Sequence, residues 1–244
     1  MVEDGGRPVA LITGGARGIG LEVARQLARR GMTVMIGAME ASKGETAVEE
    51  LAAEDLEARA FVLDVADAAS VDRVAGEIGS EFGRLDVLIN NAAAFADWSE
   101  TVSGADLESA RAVLDTNLFG VWRVTQAFLE LLRGSGRGRI VNVSSGAGSH
   151  GEPQFGLSSG PTAASYAVSK AALNALNSKL AAELDGSGVL VNAVDPGLTA
   201  TAPGMEAMGA RPVHEGAASV VWAATLPDDG PTGGFFRDGK PLPW

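Results

Sequence analysis

Thr13-Gly14-Gly15-Ala16-Arg17-Gly18-Ile19-Gly20 follows a short apolar run at residues 8–12 and leads straight into an amphipathic stretch that begins at Ile19. Glycines at 14, 18 and 20 permit a tight turn, a close approach of backbone to a ligand, and close packing of a helix on a strand. The helix N-terminus that follows offers free N–H groups and the positive end of a dipole, which together suit a phosphate. A glycine motif standing alone is weak evidence. Placed between the first strand and the first helix, it favours a dinucleotide site over an ordinary tight turn.

Outward from this turn, short runs rich in Val, Ile and Leu recur at 33–36, 60–63, 87–90, 140–143 and 189–194, with a last one near Phe235. Between them lie segments 19–30, 43–53, 69–82, 105–133, 163–183 and 214–224, which carry apolar residues at three-to-four spacing. In the first of these, Leu21, Ala24, Leu27 and Ala28 share a face while Arg25, Arg29 and Arg30 point elsewhere. The alternation predicts an α/β fold with a mainly parallel seven-stranded sheet, doubly wound and flanked by helices on both faces. Ligands of such sheets bind beyond the carboxyl ends of the strands. No repeat and no long linker interrupts the chain, so residues 1–244 are expected to form one domain, with about 1–7 as a flexible N-terminal tail. The stretch 146–161 is longer than an ordinary connection and is expected to be functional.

The 244 residues are 46% hydrophobic and 20% charged, enough to bury one sizeable core. With 19 Lys plus Arg against 31 Asp plus Glu, the formal net charge of -12 has the wrong sign for nucleic acid. The absence of cysteine excludes disulfides, thiolate zinc sites and a catalytic thiol, and the two histidines, His150 and His214, leave little for a metal, so none is expected. The amino terminus lacks the basic and apolar regions of a secretory signal, and no window approaches the roughly 18 to 20 apolar residues that span a bilayer. A cytoplasmic protein without membrane contact is the expectation.

Tyr166 is the only tyrosine and stands four residues before Lys170 on the helix predicted from 163, so both side chains share a face. A free phenol ionises near pH 10, and a neighbouring ammonium favours its anion by about 2 to 3 units. That shift brings the phenol to where it both gives and takes a proton. Asp64-Val65 follows the third apolar run and Asn90-Asn91-Ala92 the fourth. Taken alone, Asp64 reads equally as a helix N-cap, the asparagine pair as a turn, and Asn117 as a buried group satisfying helix backbone.

Together these motifs, from TGxxxGIG at 13–20 to YxxxK at 166–170, resemble the classical short-chain dehydrogenase/reductase family over nearly the whole chain from about Pro8. The extra residues between Ser145 and Tyr166, and the tail GPTGGF at 230–235 ending in Trp244, are similar to its carbonyl-reductase-like branch. The resemblance implies a single Rossmann-type domain with strand order 3-2-1-4-5-6-7. It implies Tyr166 as general acid/base, Lys170 as the group that holds the nicotinamide ribose and lowers the tyrosine pKa, and Ser145 as the donor that polarises the carbonyl, with Ser144 second. It also implies Asn117 as support for a proton relay. The implied cofactor contacts are Gly14, Ala16, Arg17, Gly18, Ile19, Gly20, Asp64, Val65, Asn91, Ala92, Ala93 (a glycine in the family), Tyr166, Lys170, Pro196, Gly197, Thr199 and Thr201.

NADPH/NADP is the expected cofactor, with NADH/NAD as the alternative. No acid stands at Gly37 or Ala38 to accept ribose hydroxyls, and Arg17 is placed to reach a 2′-phosphate, with Lys43 as a possible second cation. Met39 stands where many NADP-using relatives carry an arginine, and Glu40 adds a nearby negative charge. The expected substrate is a small, apolar or aromatic carbonyl or alcohol, met by Phe95, Trp98, Ser145, Phe155, Leu198 and Met205. Reduction of a ketone or aldehyde is the first expectation. Oxidation of a secondary alcohol by the same residues, and a non-enzymatic dinucleotide-sensing role, are the alternatives. Because 146–161 falls where tetrameric relatives pack their long helices, a monomer or weak homo-oligomer is expected.

Overall fold

Val9–Thr13 (β1) is buried at every position, as a central parallel strand covered on both faces must be. The computed structural model describes residues 6–244. From β1 the chain runs through α1 (Gly18–Ala28), β2 (Thr33–Ala38), α2 (Ala41–Ala52), β3 (Ala58–Val62), α3 (Ala68–Phe82) and β4 (Val87–Asn90). It continues through α4 (Leu107–Leu114), α5 (Val121–Gly134), β5 (Arg139–Val143), α6 (Ala164–Glu183), β6 (Leu190–Val194), α7 (Val213–Ala224), β7 (Phe235–Arg237) and β8 (Lys240–Pro241).

The sheet order is β3-β2-β1-β4-β5-β6-β7-β8, so the expected seven-strand order is present and gains an eighth strand, antiparallel to β7. That edge strand of two residues follows the turn at Asp238 and Gly239, both at positive φ, and is too short to show an apolar period. Alternate side chains of each strand enter two cores. Ala10, Ile12, Val34, Ile36, Ile89 and Val141 meet α1, α2 and α7, while Val9, Leu11, Met35, Leu88, Ile140 and Val191 meet α3, α5 and α6.

One expectation needs correction. The segment 105–133 is not one helix: a π-helical turn, Asp115–Gly120, separates α4 from α5 and turns Asn117 fully inward. Of the expected tail, residues 1–5 lie outside the described residues; the Gly6 carbonyl accepts a hydrogen bond from Arg84 at 3.1 Å and Arg7 pairs with Glu57 at 2.7 Å.

The inward face of α6 is polar where an amphipathic helix would be apolar. Lys170 Nζ donates to the Val143 carbonyl at 2.8 Å and the Ser144 hydroxyl donates to Asn174 Oδ1 at 2.6 Å. Asn142 Nδ2 donates to Asn177 Oδ1 at 3.0 Å, and Asn142 Oδ1 accepts from Asn90 Nδ2 at 2.9 Å. Successive turns of α6 are thereby tied to the end of β5 and, through Asn142, to β4. In a low-dielectric interior such a chain specifies one packing, and each broken link leaves a partner unsatisfied.

Asn142 is 0% exposed and links both neighbours, so Asn142→Ala should cost about 2–4 kcal/mol. Thermal denaturation should show a fall in Tm of roughly 5–15 °C. An unchanged Tm would show that the asparagine chain contributes nothing to stability.

Candidate active site

The glycine turn is held from behind by β4's exit. Thr13 Oγ1 accepts the N–H groups of Asn91 and Ala92, each at 3.0 Å, and Asn91 Nδ2 donates to the carbonyls of Thr13 and Gly14, each at 3.0 Å. The Asn91 side chain therefore braces the turn, and Ala92 lies against it. Gly14 and Gly18 have φ of +61° and +54°, and a Cβ at Gly14 would lie 2.9 Å from Ala92 Cα. A Cβ at Gly20 would lie 2.5 Å from the Gly14 carbonyl oxygen. Arg17, the extended N-cap of α1, provides no side-chain cap, so the first-turn N–H groups of α1 stay open toward the strand ends. This cradle fits a phosphate-bearing dinucleotide. Ala16 and Ile19 pack their side chains on the core beneath it.

At the end of β2, Gly37 has no room for a side chain, since a Cβ there would lie 2.7 Å from Leu63 Cδ2, and Ala38 is buried. Met39 is 72% exposed. Lys43, the possible second cation, is paired with Glu40 at 2.5 Å on the surface. Arg17 is exposed and makes no ion pair among the described residues. Asp64 accepts from its own Ala66 N–H at 2.9 Å, and the cap of α3 is Asp67, which accepts from Ala69 N–H at 3.0 Å. Val65 is buried against Gly120 of the π-turn, whereas Ala93 stays half-buried on the loop after β4.

Tyr166 and Lys170 stand one turn apart on α6, with Lys170 Nζ 5.6 Å from the centroid of the tyrosine ring. The two serines after β5 divide: Ser144 is buried on Asn174, while Ser145 is half-buried, its hydroxyl accepting the Ala147 N–H at 3.2 Å and standing near enough to the Tyr166 phenol to lower its pKa. Asn117 accepts from Ala94 N–H at 2.8 Å and donates to the Ala94 carbonyl at 2.9 Å and to Ser169 Oγ at 3.0 Å. Its amide thus joins the loop after β4 to α6 beside Tyr166 and Lys170. The start of α6 is fixed by the loop before it: Ala163 N–H donates to the Trp98 carbonyl at 3.1 Å, and Ser165 N–H to Glu100 Oε2 at 2.8 Å.

Electrostatics differ from the expectation. Burial pushes the Tyr166 phenol up to about 12, with the Ser145 hydroxyl lowering it and the charge of Asp195 raising it further. Burial pushes the Lys170 amine down to about 8, against the charge of Asp195, which supports the ammonium. The lysine's proton is directed to the Val143 carbonyl, and its charge is partly withdrawn by its own desolvation.

On the outer side, Phe95 stacks on Tyr166 with centroids 4.8 Å apart and Trp98 meets it edge-on at 5.5 Å. Phe95 is 52% and Trp98 61% exposed, and a cleft of about 650 Å³ opens beyond Phe95, between residues 94–104 and α4. Phe155 is exposed on the long loop and its ring stacks on no other among the described residues. After β6, Thr199 is buried with its hydroxyl on the carbonyls of Pro196 and Gly197 at 3.2 and 3.0 Å. Thr201 lies beside Gly18, its Cγ2 3.4 Å from where a Cβ would stand, and its hydroxyl reaches Met205 Sδ at 3.8 Å. Leu198 and Met205 are half-buried in the same segment. Sequence reasoning passed over Asp195, although an acid ending a hydrophobic strand before Pro-Gly is itself a signal, and over its partner Arg237.

The chain matches the short chain dehydrogenase family over residues 8–209. It is 38% identical over 194 residues to a 3-oxoacyl-[acyl-carrier-protein] reductase of Synechocystis, covering 79% of this chain and 74% of that one. Among solved structures, salutaridine reductase from Papaver somniferum superposes with a TM-score of 0.79 at 31% identity, covering 95% of this chain and 100% of that one. A variant of actinorhodin polyketide ketoreductase with NADPH superposes with a TM-score of 0.84 at 28% identity, covering 95% of each.

The Lys170 shift makes stability depend on pH. Its folded value of about 8 lies below the ordinary 10.5, so the penalty for burying its charge is full below pH 8 and is relieved as pH rises to 10.5. The folded state should gain about 3 kcal/mol across that window, and denaturant unfolding at stepped pH should show it. Lys170→Met should flatten the rise; a rise that persists in the variant would assign it to another group.

Proposed function

Because the chain belongs to the short-chain dehydrogenase family, we propose that this NAD(P)-dependent oxidoreductase is an NADPH-dependent carbonyl reductase acting on small apolar or aromatic ketones or aldehydes. The observation that carries this is the meeting of the Ser145 hydroxyl, the Tyr166 phenol and Lys170 at the strand ends, under an exposed aromatic wall. Two solved relatives were crystallised with NADP or NADPH, and a third with NADP and tartrate.

The nicotinamide, when bound, supplies the hydride. Ser145 donates a hydrogen bond to the substrate oxygen and so polarises the carbonyl carbon. Tyr166 gives its proton to that oxygen as negative charge develops on it. A phenol held up at about 12 is protonated near neutrality, the form from which it gives its proton in reduction. Lys170 holds ribose hydroxyls with its N–H groups and, as an ammonium, steadies the phenolate left behind. Asn117 keeps the loop after β4 against α6, so that Phe95 and Trp98 stand beside the phenol. Flat apolar substrates suit these rings, through offset stacking and burial.

Arg17 is the free cation at the cradle and the group we assign to the 2′-phosphate; Gly37 and Ala38 leave no acid to take ribose hydroxyls.

Turnover of a panel of ketones, aldehydes and quinones, followed at 340 nm with NADPH and with NADH, should find substrates among the apolar and aromatic carbonyls. Tyr166→Phe should lower turnover at least about a hundredfold with cofactor affinity nearly unchanged. Near-normal turnover in folded Tyr166→Phe would overturn the assignment.

Arg17→Ala should raise KM for NADPH roughly 10- to 150-fold and that for NADH far less. Equal weakening of both cofactors would return Arg17 to an ordinary surface residue of the turn.

A further inference from the structure

Asp195 ends β6 and is 3% exposed, yet none of the chemistry above uses it. Its Oδ2 accepts the N–H of Gly146, the residue after Ser145, at 2.9 Å, and its Oδ1 accepts the N–H of Gly197 at 2.7 Å. One carboxylate thus bridges the loop that carries the substrate-polarising hydroxyl and the loop at Pro196–Gly197. Arg237 of β7 closes on Oδ2 with Nη2 and, at 3.1 Å, with Nε. On its far side the same guanidinium lies 3.8 Å from Glu152 Oε1, in the long loop before α6. Glu152 is 7% exposed, and its other oxygen accepts the N–H groups of Gln154 and Phe155 at 2.9 and 2.5 Å. The space is closed: a Cβ at Gly146 would lie 3.1 Å from both Asp195 Oδ2 and Arg237 Nη2.

Burying two carboxylates here is tolerable only because cations balance them, one being Arg237 and the other Lys170, whose Nζ donates at 2.8 Å to the carbonyl of Val143, the β5 residue in register with Val194 and so one position from Asp195. We propose that Asp195 is a positioning residue of the active site: clamped by Arg237 and Glu152, it fixes the Ser145 loop against the Pro196–Gly197 loop and lends its negative charge to the Lys170 ammonium. This rests on the reading of Ser145, Tyr166 and Lys170 as the catalytic groups. A carboxylate that served packing alone would need its hydrogen bonds but not its charge.

The charged groups around Lys170 come from each element packed there. Tyr166 lies on its own helix, Asp195 ends β6, and Arg237 of β7 and Glu152 of the long loop stand behind Asp195. Removing the negative charge at 195 therefore makes Lys170 lose its proton at lower pH. Removing the positive charge at 237 leaves Asp195 uncompensated and makes Lys170 hold its proton to higher pH. A role in packing alone predicts no shift, or the same loss of Tm in both variants.

The test is the titration of Lys170 in the full chain, read from the 13C shift of its ε-carbon after lysine-selective labelling. The chain has only four lysines, and Lys170→Met assigns the signal. Asp195→Asn should move the midpoint acidward by about 1 unit, Arg237→Met should move it alkaline, and Arg237→Lys should restore it. Unmoved midpoints, or shifts in the same direction, overturn the proposal. If Asp195→Asn does not fold, the Arg237→Met and Arg237→Lys pair decides alone: an alkaline shift that lysine reverses supports it, and no shift overturns it. The titration needs no turnover, so a protein that reduces no carbonyl compound would sink the catalytic reading while leaving this measurement intact.

Discussion

The site depends on the seam between α6 and the end of β5. An amphipathic helix buries apolar side chains against a sheet, and its rotation is then fixed only by shape. Here Lys170, Asn174 and Asn177 reach the Val143 carbonyl, Ser144 and Asn142, so the rotation and axial position of α6 are fixed by directional bonds. Tyr166 inherits that position because it lies one turn before the first of them. A slide of α6 by one residue would break all three bonds and carry the phenol away from Ser145. Gly148 shows how close the seam is: a Cβ there would stand 2.5 Å from the Lys170 carbonyl carbon.

Close packing also decides the charges. The amine of Lys170 is 3% exposed and has a backbone carbonyl and a distant carboxylate for company, so the interior reduces its basicity instead of simply displaying a positive charge. The phenol feels the same interior and becomes a weaker acid. Near neutrality such a phenol rests with its proton on. The protein's own groups therefore bias the pair toward the protonated resting form. Their bias comes from the depth of the seam, not from the spacing of two residue types along a helix.

Much of this was legible in the sequence because it is local. Strand runs, helix periods and the glycine turn each depend on neighbours within a few residues, while the order of the sheet comes with the family resemblance that those motifs carry. Tyr166 and Lys170 announce themselves by helical spacing, and Ser145 by standing at a strand end. What escaped was set by distant partners. Asp195, just past β6, meets Arg237 of β7, and Asn91 turns its amide to the back of the glycine loop. The π-turn escaped because a single extra residue in one turn, Asp115–Gly120, leaves no breaking residue type such as proline to mark it in the sequence. The direction of the pKa shifts escaped because proximity is visible in a sequence and desolvation is not.

The glycine turn and its rim differ in how freely they can change. At Gly14, Gly20 and Gly37 one methyl group would collide with backbone or with Leu63, whereas Arg17 and Met39 stand in solvent. The turn is thus closed to substitution at Gly14 and Gly20, and the end of β2 at Gly37, while the exposed positions 17 and 39 beside them are open. Exchanges at those two positions carry little stability penalty that must be repaired elsewhere. What packing fixes and what is free to vary thus lie side by side around two neighbouring strand ends.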